Sequence, residues 1–369
     1  MRICFLADAG SVNTRSWVDH FADVLGHDVH VVTVRQRGEF SDRVTLHPIG
    51  GADGTATVRG KLSYLSSPGR VRELLRRIDP DIVVGYRIAS YGYLAYRSGF
   101  RPFVAAAQGQ RVVCPPGVAL KRILVRRVLE NADLVTAWAP HMSERLVELG
   151  ASPERILTCP RGIDLARFSR RERVEDGPVS IISTRGLNRH YRIDVLVRAL
   201  AIATKELPEA TLTIAGAGEA EEELRSLAAE IGVADAVRFV GALDHDQLAG
   251  LLRRSKLYAS VVRTDGVSAS LLEAMACGAF PIVTENDANR HWIDDGTNGL
   301  LVADADPEAY AAAFVRAAGD SGLVAGAMSV NRRIVEQRAD INTNMARVAS
   351  VFERLAAGEK DVLVGEGGR

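Results

Sequence analysis

Short apolar runs alternate with helical patterns along almost the whole chain, and the rhythm breaks once, at a polar stretch over residues 169–178, before it restarts. Parallel sheets covered by helices demand this alternation, because each strand can reach its parallel neighbour only through a crossover, usually helical. In the first half, residues 1–7, 28–34, 79–84, 102–107 and 132–136 read as strands, and Trp17, Phe21 and Leu25 mark the helix after the first. In the second half, strands are expected at 179–184, 210–214, 238–240, 257–261, 280–283 and 299–302. A chain of 369 residues exceeds what one hydrophobic core serves. Two α/β units of doubly wound parallel sheet are therefore predicted, 1–168 and 179–339, joined by the linker 169–178. A last helical pattern over 340–357 leads into a Gly- and Glu-rich tail, 358–369, expected to be disordered.

Acids and bases balance at 46 each, so a nucleic-acid partner has no global electrostatic support. Charge is uneven locally. Residues 82–129 contain no acid but hold Arg87, Arg97, Arg101, Arg111, Lys121, Arg122, Arg126 and Arg127. The amphipathic pattern at 118–129 suits either contact with anionic lipid headgroups or a phosphorylated ligand, or a plain solvated helix face. Cys4, Cys114, Cys159 and Cys277 are far apart and fit reduced thiols rather than a metal site. The start, MRICFLAD, runs directly into a strand pattern, and no apolar run reaches the roughly 18 residues of a membrane span. A cytoplasmic protein is the expectation, with peripheral contact at the inner face of the membrane left open beside the plain solvated surface.

Residues 264–283 carry the densest chemistry. Asp265 and Glu273 stand eight positions apart around a Gly-Ser turn that opens a helix. Gly266 lets backbone approach a ligand closely, and the N–H groups near Val267, Ser268, Ser270 and Leu271 are the unpaired donors of a helix start, which suits an anion such as a diphosphate. Glu273 can accept two hydrogen bonds from a vicinal diol, and Asp265 can accept from sugar hydroxyls. The competing structural reading makes Ser270 and Glu273 a capping box.

The longer context decides between them. Residues 274–278 are small enough for tight helix packing, 280–283 reads as a buried strand and 295–299 as a turn. Together with the segments at 14–17, 26–31, 132–135, 145–150, 160–164 and 167–168, this run resembles the family 4 retaining glycosyltransferases of the GT-B architecture, from end to end of the chain. That resemblance implies two Rossmann-like domains facing a cleft, with the final helix packed back on the first domain. It implies a metal-independent enzyme with no cofactor, whose co-substrate is a nucleoside diphosphate sugar, UDP-sugar before GDP-sugar, and whose acceptor is a hydroxyl, lipid-linked, phosphorylated or on a natural product. Glu273 would hold the ribose diol and Asp265 the sugar. Arg185 and the backbone of residues 268–271 would hold the diphosphate.

Relatives commonly have an Arg followed five or six residues on by a Lys that clamps the leaving group. Arg185 matches the first, but Tyr191 occupies the Lys register, so either Arg189 or Arg192 substitutes or the clamp is weaker. Gly216, in the turn after residues 210–214, would line the nucleotide pocket or serve the turn alone. Glu219, Glu221, Glu222 and Glu223 next to it argue against a dinucleotide fingerprint. Gly10, in the first strand-to-helix turn, would approach the donor from the other domain or be an ordinary turn. Where relatives carry Gly-Ser-Asp, this chain has Gln108, Gly109, Gln110 and Arg111, so either Gln108, Gln110 and Arg111 are the acceptor-side candidates, suited to an anionic group, or the loop only packs. Asp244 with Asp246 and Asp304 with Asp306 superficially match a metal-binding pattern, but each pair sits where a helix N-cap belongs. The alternatives left open are a nucleotide-sugar-binding protein without turnover and a GT-B epimerase or phosphorylase.

Overall fold

The computed structural model describes residues 1–34, 39–49, 68–107, 119–170, 177–359 and 361–363. The chain divides into two compact units, Met1–Arg161 with Asn342–Arg369, and Gly162–Ile341. The division falls at residue 161, earlier than the polar stretch suggests. Phe168 is 3% exposed and packs with Ile163, Leu165, Tyr258 and Leu271 in the core of the second unit, so apolar contact overrides local polarity there.

In the first unit seven strands form one parallel sheet: β1 (Arg2–Leu6), β2 (Asp28–Thr33), β3 (Val44–Pro48), β4 (Ile82–Tyr86), β5 (Phe103–Ala106), β6 (Leu134–Ala137) and β7 (Ile156–Thr158), in the order β3-β2-β1-β4-β5-β6-β7. The helices are α1 (Val12–Asp19), prolonged by a π-helical turn (His20–Val24), then α2 (Pro68–Ile78), α3 (Tyr93–Ser98), α4 (Ala119–Asn131) and α5 (Pro140–Glu148). The order reverses direction between β1 and β4, and ligands of open α/β sheets bind at such a reversal, beyond the strand ends.

The second unit has a six-stranded parallel sheet of β8 (Ser180–Ser183), β9 (Thr211–Ile214), β10 (Val237–Phe239), β11 (Leu257–Ser260), β12 (Phe280–Thr284) and β13 (Leu300–Val302), in the order β10-β9-β8-β11-β12-β13. Its helices are α6 (Ile193–Ala203), α7 (Glu221–Glu230), α8 (His245–Arg254), α9 (Ala269–Cys277), α10 (Asp287–Arg290), α11 (Pro307–Gly319) and α12 (Ser321–Arg338). Here the reversal lies between β8 and β11, where Leu257 pairs with Ile181 and Tyr258 with Ile182. From Ser270 to Cys277 every residue of α9 is buried, which its small and apolar sequence permits. The helix stops at Gly278, whose φ of 83° is open to glycine without strain.

The last helix, α13 (Ile341–Ala356), returns to the first unit. Its apolar stripe of Met345, Val348, Val351 and Phe352 is buried, and the Phe352 ring stacks 5.7 Å from Phe21. The start of the tail is ordered against it: Arg354 donates to the carbonyls of Val362 and Asp361, and Val362 is 5% exposed. No helix among the described residues is long and apolar enough to cross a membrane.

Candidate functional site

Arg185 follows the C-terminal end of β8, and Ser260 ends β11 beside it. The Arg185 side chain donates through Nε to Ser260 Oγ at 3.1 Å, and through Nη2 to Asp265 Oδ2 at 2.8 Å and to Ser268 Oγ at 2.5 Å. The two charged side chains are 10% and 16% exposed, so the pair is largely withdrawn from water while still reaching it. Burial by itself would lower the Arg185 pKa. Tyr258, the charge and hydrogen bond of Asp265, and Tyr191 together reverse that, so the guanidinium is held above its ordinary value. Three residues named from sequence, Arg185, Asp265 and Ser268, therefore meet at one point, the start of α9.

The cap of α9 is Ser268, not Ser270. Ser268 has extended backbone, φ −81° and ψ 96°, and its hydroxyl accepts from Leu271 N–H at 3.1 Å. Ser270 instead turns inward, where it accepts from the Tyr258 hydroxyl at 2.9 Å and meets Ser268 Oγ at 3.2 Å. The residue three positions after the cap is thus Leu271, and Glu273 lies too far along the helix for a capping box. The capping-box explanation for that carboxylate falls. Glu273 is 9% exposed on the same helix. Leu271 and Leu272 both return their N–H to the Ser268 carbonyl, so the donors left to a ligand are those of Val267, Ser268, Ala269 and Ser270. The Leu271 N–H is accordingly spent within the helix. Gly266 N–H closes on its neighbour's Asp265 Oδ1 at 2.8 Å, which fixes the loop that carries the acid.

Gly216 and Gly218 have a packing reason. A Cβ at Gly216 would lie 2.2 Å from the Arg185 carbonyl oxygen, and one at Gly218 would lie 2.1 Å from that of Leu187. Backbone bonds from Leu187 N–H to Ala217 and from Ala220 N–H to Leu187 lock the two loops together. Gly216 thus shapes the loop that presents Arg185.

Arg189 and Arg192, the candidates for a second cation, are each drawn to a carboxylate of their own. Arg189, 88% exposed at its side chain, pairs with Glu223 at 3.7 Å, and Arg192 pairs with Asp194 at 3.3 Å. What stands next to Arg185 is Tyr191, its ring centroid 5.2 Å from the guanidinium carbon. Ser260, Tyr258 and the Tyr191 ring are the participants that sequence reasoning missed. The first two lie in a run that reads as plain buried strand.

In the first unit, Gly10 donates its N–H to Asp8 Oδ1 at 3.2 Å in the turn after β1, and Asp8 pairs with Arg87 at 3.7 Å. Gln108, Gln110 and Arg111 lie outside the described residues, as does Cys114. Asp244 caps α8 in a capping box with Gln247, and Asp306 caps α11. On the basic stretch, Arg101 and Arg126 pair with Asp133 and Glu130, which dilutes its field. Arg122 and Arg127 remain exposed on α4 together with Ile123, which is 51% exposed.

Two family models match. Residues 166–326 match "Glycosyl transferases group 1", and residues 2–138 match "Glycosyl transferase 4-like". The GDP-mannose-dependent alpha-(1-6)-phosphatidylinositol monomannoside mannosyltransferase of Mycolicibacterium smegmatis is 28% identical over 243 residues, 61% of this chain and 63% of that one. The D-inositol 3-phosphate glycosyltransferase of Corynebacterium jeikeium is 30% identical over 222 residues, 55% of this chain and 53% of that one. The chain thus spans less than two thirds of the length of these curated relatives. Among solved structures, Anabaena HepE in complex with UDP superposes with a TM-score of 0.80 at 17% identity, over 96% of this chain and 100% of that one, a likeness of fold.

Proposed function

The chain belongs to the GT4-type glycosyltransferases of GT-B architecture, and from that premise we propose that it moves a sugar from a nucleoside diphosphate sugar to a hydroxyl acceptor with retention at the anomeric carbon. The observation that carries this reading is the meeting of Arg185, Asp265 and Ser268 at the start of α9. Arg185 and the free N–H groups of the helix start bind the diphosphate and stabilise it as it departs. Asp265, on the loop beside them, orients the sugar hydroxyls. Glu273, further along α9, accepts from the ribose diol. Retention then follows from attack on the face the leaving group vacates, the departing phosphate oxygen taking the acceptor proton, so no protein nucleophile is required.

UDP is the proposed nucleotide. The UDP-bound HepE structure supports it, and the GDP-mannose-dependent relative names the competitor. The exposed Arg122, Ile123 and Arg127 of α4 favour an acceptor met at an anionic membrane surface. One observation supports a second reading, nucleotide-sugar binding without turnover: the Tyr191 ring stands beside Arg185, in the register where the resembled family has a Lys.

The test is calorimetry and thermal shift with UDP, GDP, ADP and their common sugars, with and without EDTA, followed by product NMR on the donor that binds. Selective, EDTA-insensitive stabilisation and a product of unchanged anomeric configuration are expected. Binding without release of nucleotide to any hydroxyl acceptor would favour the second reading. No response to any nucleotide would remove both.

A further inference from the structure

We propose that Tyr191 is a positioning residue for the leaving-group site, holding the Arg185 guanidinium from its open face so that a single cation serves the diphosphate. This rests on the donor reading above. Arg185 is fixed on its other sides by Ser260, Asp265 and Ser268, and the Tyr191 ring lies 5.2 Å from its central carbon, within cation–π range. The ring is itself built in. Residues Arg189–Tyr191 form a short 3-10 turn capped by Asn188, whose side chain accepts from His190 N–H at 3.0 Å, and Tyr191 N–H bonds the Asn188 carbonyl at 3.1 Å. Gly186 brings the Arg185 loop within 3.7 Å of the Tyr191 ring edge, measured from where a Cβ would sit. His190 meets the same ring edge-on at 5.1 Å.

The two cations flanking Tyr191 in sequence have carboxylate partners, Arg189 with Glu223 on α7 and Arg192 with Asp194 on α6. A guanidinium that is already placed loses little freedom when an anion arrives, and a π face supplies that placement without adding a charge that binds product as tightly as it binds the transition state. The consequence is a site whose affinity for free nucleoside diphosphate depends weakly on salt, and whose catalytic power depends on the ring.

The experiment compares wild type, Tyr191→Phe and Tyr191→Leu for nucleoside diphosphate affinity by calorimetry at about 50 and 300 mM salt, and for kcat and KM with the donor that wild type uses. Tyr191→Leu is expected to lose about tenfold in kcat with KM moving less than threefold, at an unchanged salt slope of binding. Tyr191→Phe, which keeps the π face, recovers most of that loss. A Leu variant equal to wild type in kcat, or a Phe variant as impaired as Leu, would overturn the proposal while leaving the donor reading intact. If wild type binds no nucleoside diphosphate, the donor reading fails and this proposal with it.

Discussion

Replacing Asp265 by Asn keeps the volume of the side chain and removes its charge, and the site geometry gives the two consequences opposite signs. The carboxylate sits 2.8 Å from Arg185 Nη2, with the pair mostly withdrawn from water. Charges about 4 Å apart at an effective dielectric of about 20 attract by about 4 kcal/mol. An exposed edge and the hydrogen bond that Asn can keep reduce the net loss to about 2 kcal/mol. For a unit of this size that is a fall of about 4–8 °C in the melting transition. Toward a nucleoside diphosphate the sign reverses, since the variant presents Arg185 unopposed. Removing one negative charge about 6 Å from the phosphates, at an intermediate dielectric of about 40, contributes about 1.4 kcal/mol, or about tenfold tighter binding. Turnover of the donor sugar falls all the same, because its hydroxyls lose a charged acceptor. Differential scanning calorimetry, titration calorimetry with the nucleotide that wild type binds, and initial rates measure the three effects separately. An Asn variant of unchanged melting temperature that binds nucleotide more weakly than wild type would refute the reasoning, because Asp265 would then be a ligand of the anion's surroundings rather than the counter-charge of Arg185.

Other perturbations probe the neighbouring parts. Glu273→Gln is expected to keep the fold and weaken donor binding about 10- to 100-fold, the worth of hydrogen bonds to a charged group; unchanged nucleotide affinity in a folded variant would sink the ribose assignment. Gly216→Ala places a methyl 2.2 Å from the Arg185 carbonyl oxygen and should cost about 1–3 kcal/mol together with nucleotide affinity, whereas Gly326→Ala, in α12 with nothing within 4 Å, should stabilise by roughly 0.5–1 kcal/mol; chemical denaturation of the two variants checks the contrast. Burial pushes the Cys277 thiol up from its ordinary 9.0 to about 12, so folding favours the protonated form. Stability from that thiol is complete below about pH 9 and is lost as pH rises toward 12, because the unfolded chain releases the proton first. A Cys277→Ala variant should show a shallower alkaline decline in urea midpoint, and an identical decline would assign the effect elsewhere.

Most strands were legible because those buried on both faces must be continuous apolar runs, and β1, β4, β5 and β12 are of that kind. β3 and β7, which edge the first sheet, were not legible: β3 is half-exposed along its length, and in β7 only the central Leu157 is buried. At the site, Arg185 and Asp265 were legible because each stands at a strand or helix boundary where charge has no packing explanation. Tyr258 and Ser260 were not, because a hydroxyl in a buried strand looks like any other strand residue until the neighbour is known. That neighbour, β8, is 75 residues away for the Ser260–Arg185 bond, and only the parallel pairing of β8 with β11 makes them adjacent. The choice between Ser268 and Ser270 as cap likewise depended on Tyr258, which draws Ser270 inward.

The second unit enters and leaves at one place. Ile163 accepts a backbone bond from Ile341 and donates one to Ala339, so the first and last residues of Gly162–Ile341 form a closed neck. For a ribosome this is an interruption: the first unit has its sheet once residue 161 emerges, but its final helix is encoded only after 180 further residues, the span of the second unit. At about 5–20 residues per second that delay is on the order of 10–40 s, during which the apolar seat of Phe352 beside Phe21 stands open in the nascent chain. The inserted unit, by contrast, is contiguous and has both ends tied, and can complete its fold before the unit that surrounds it.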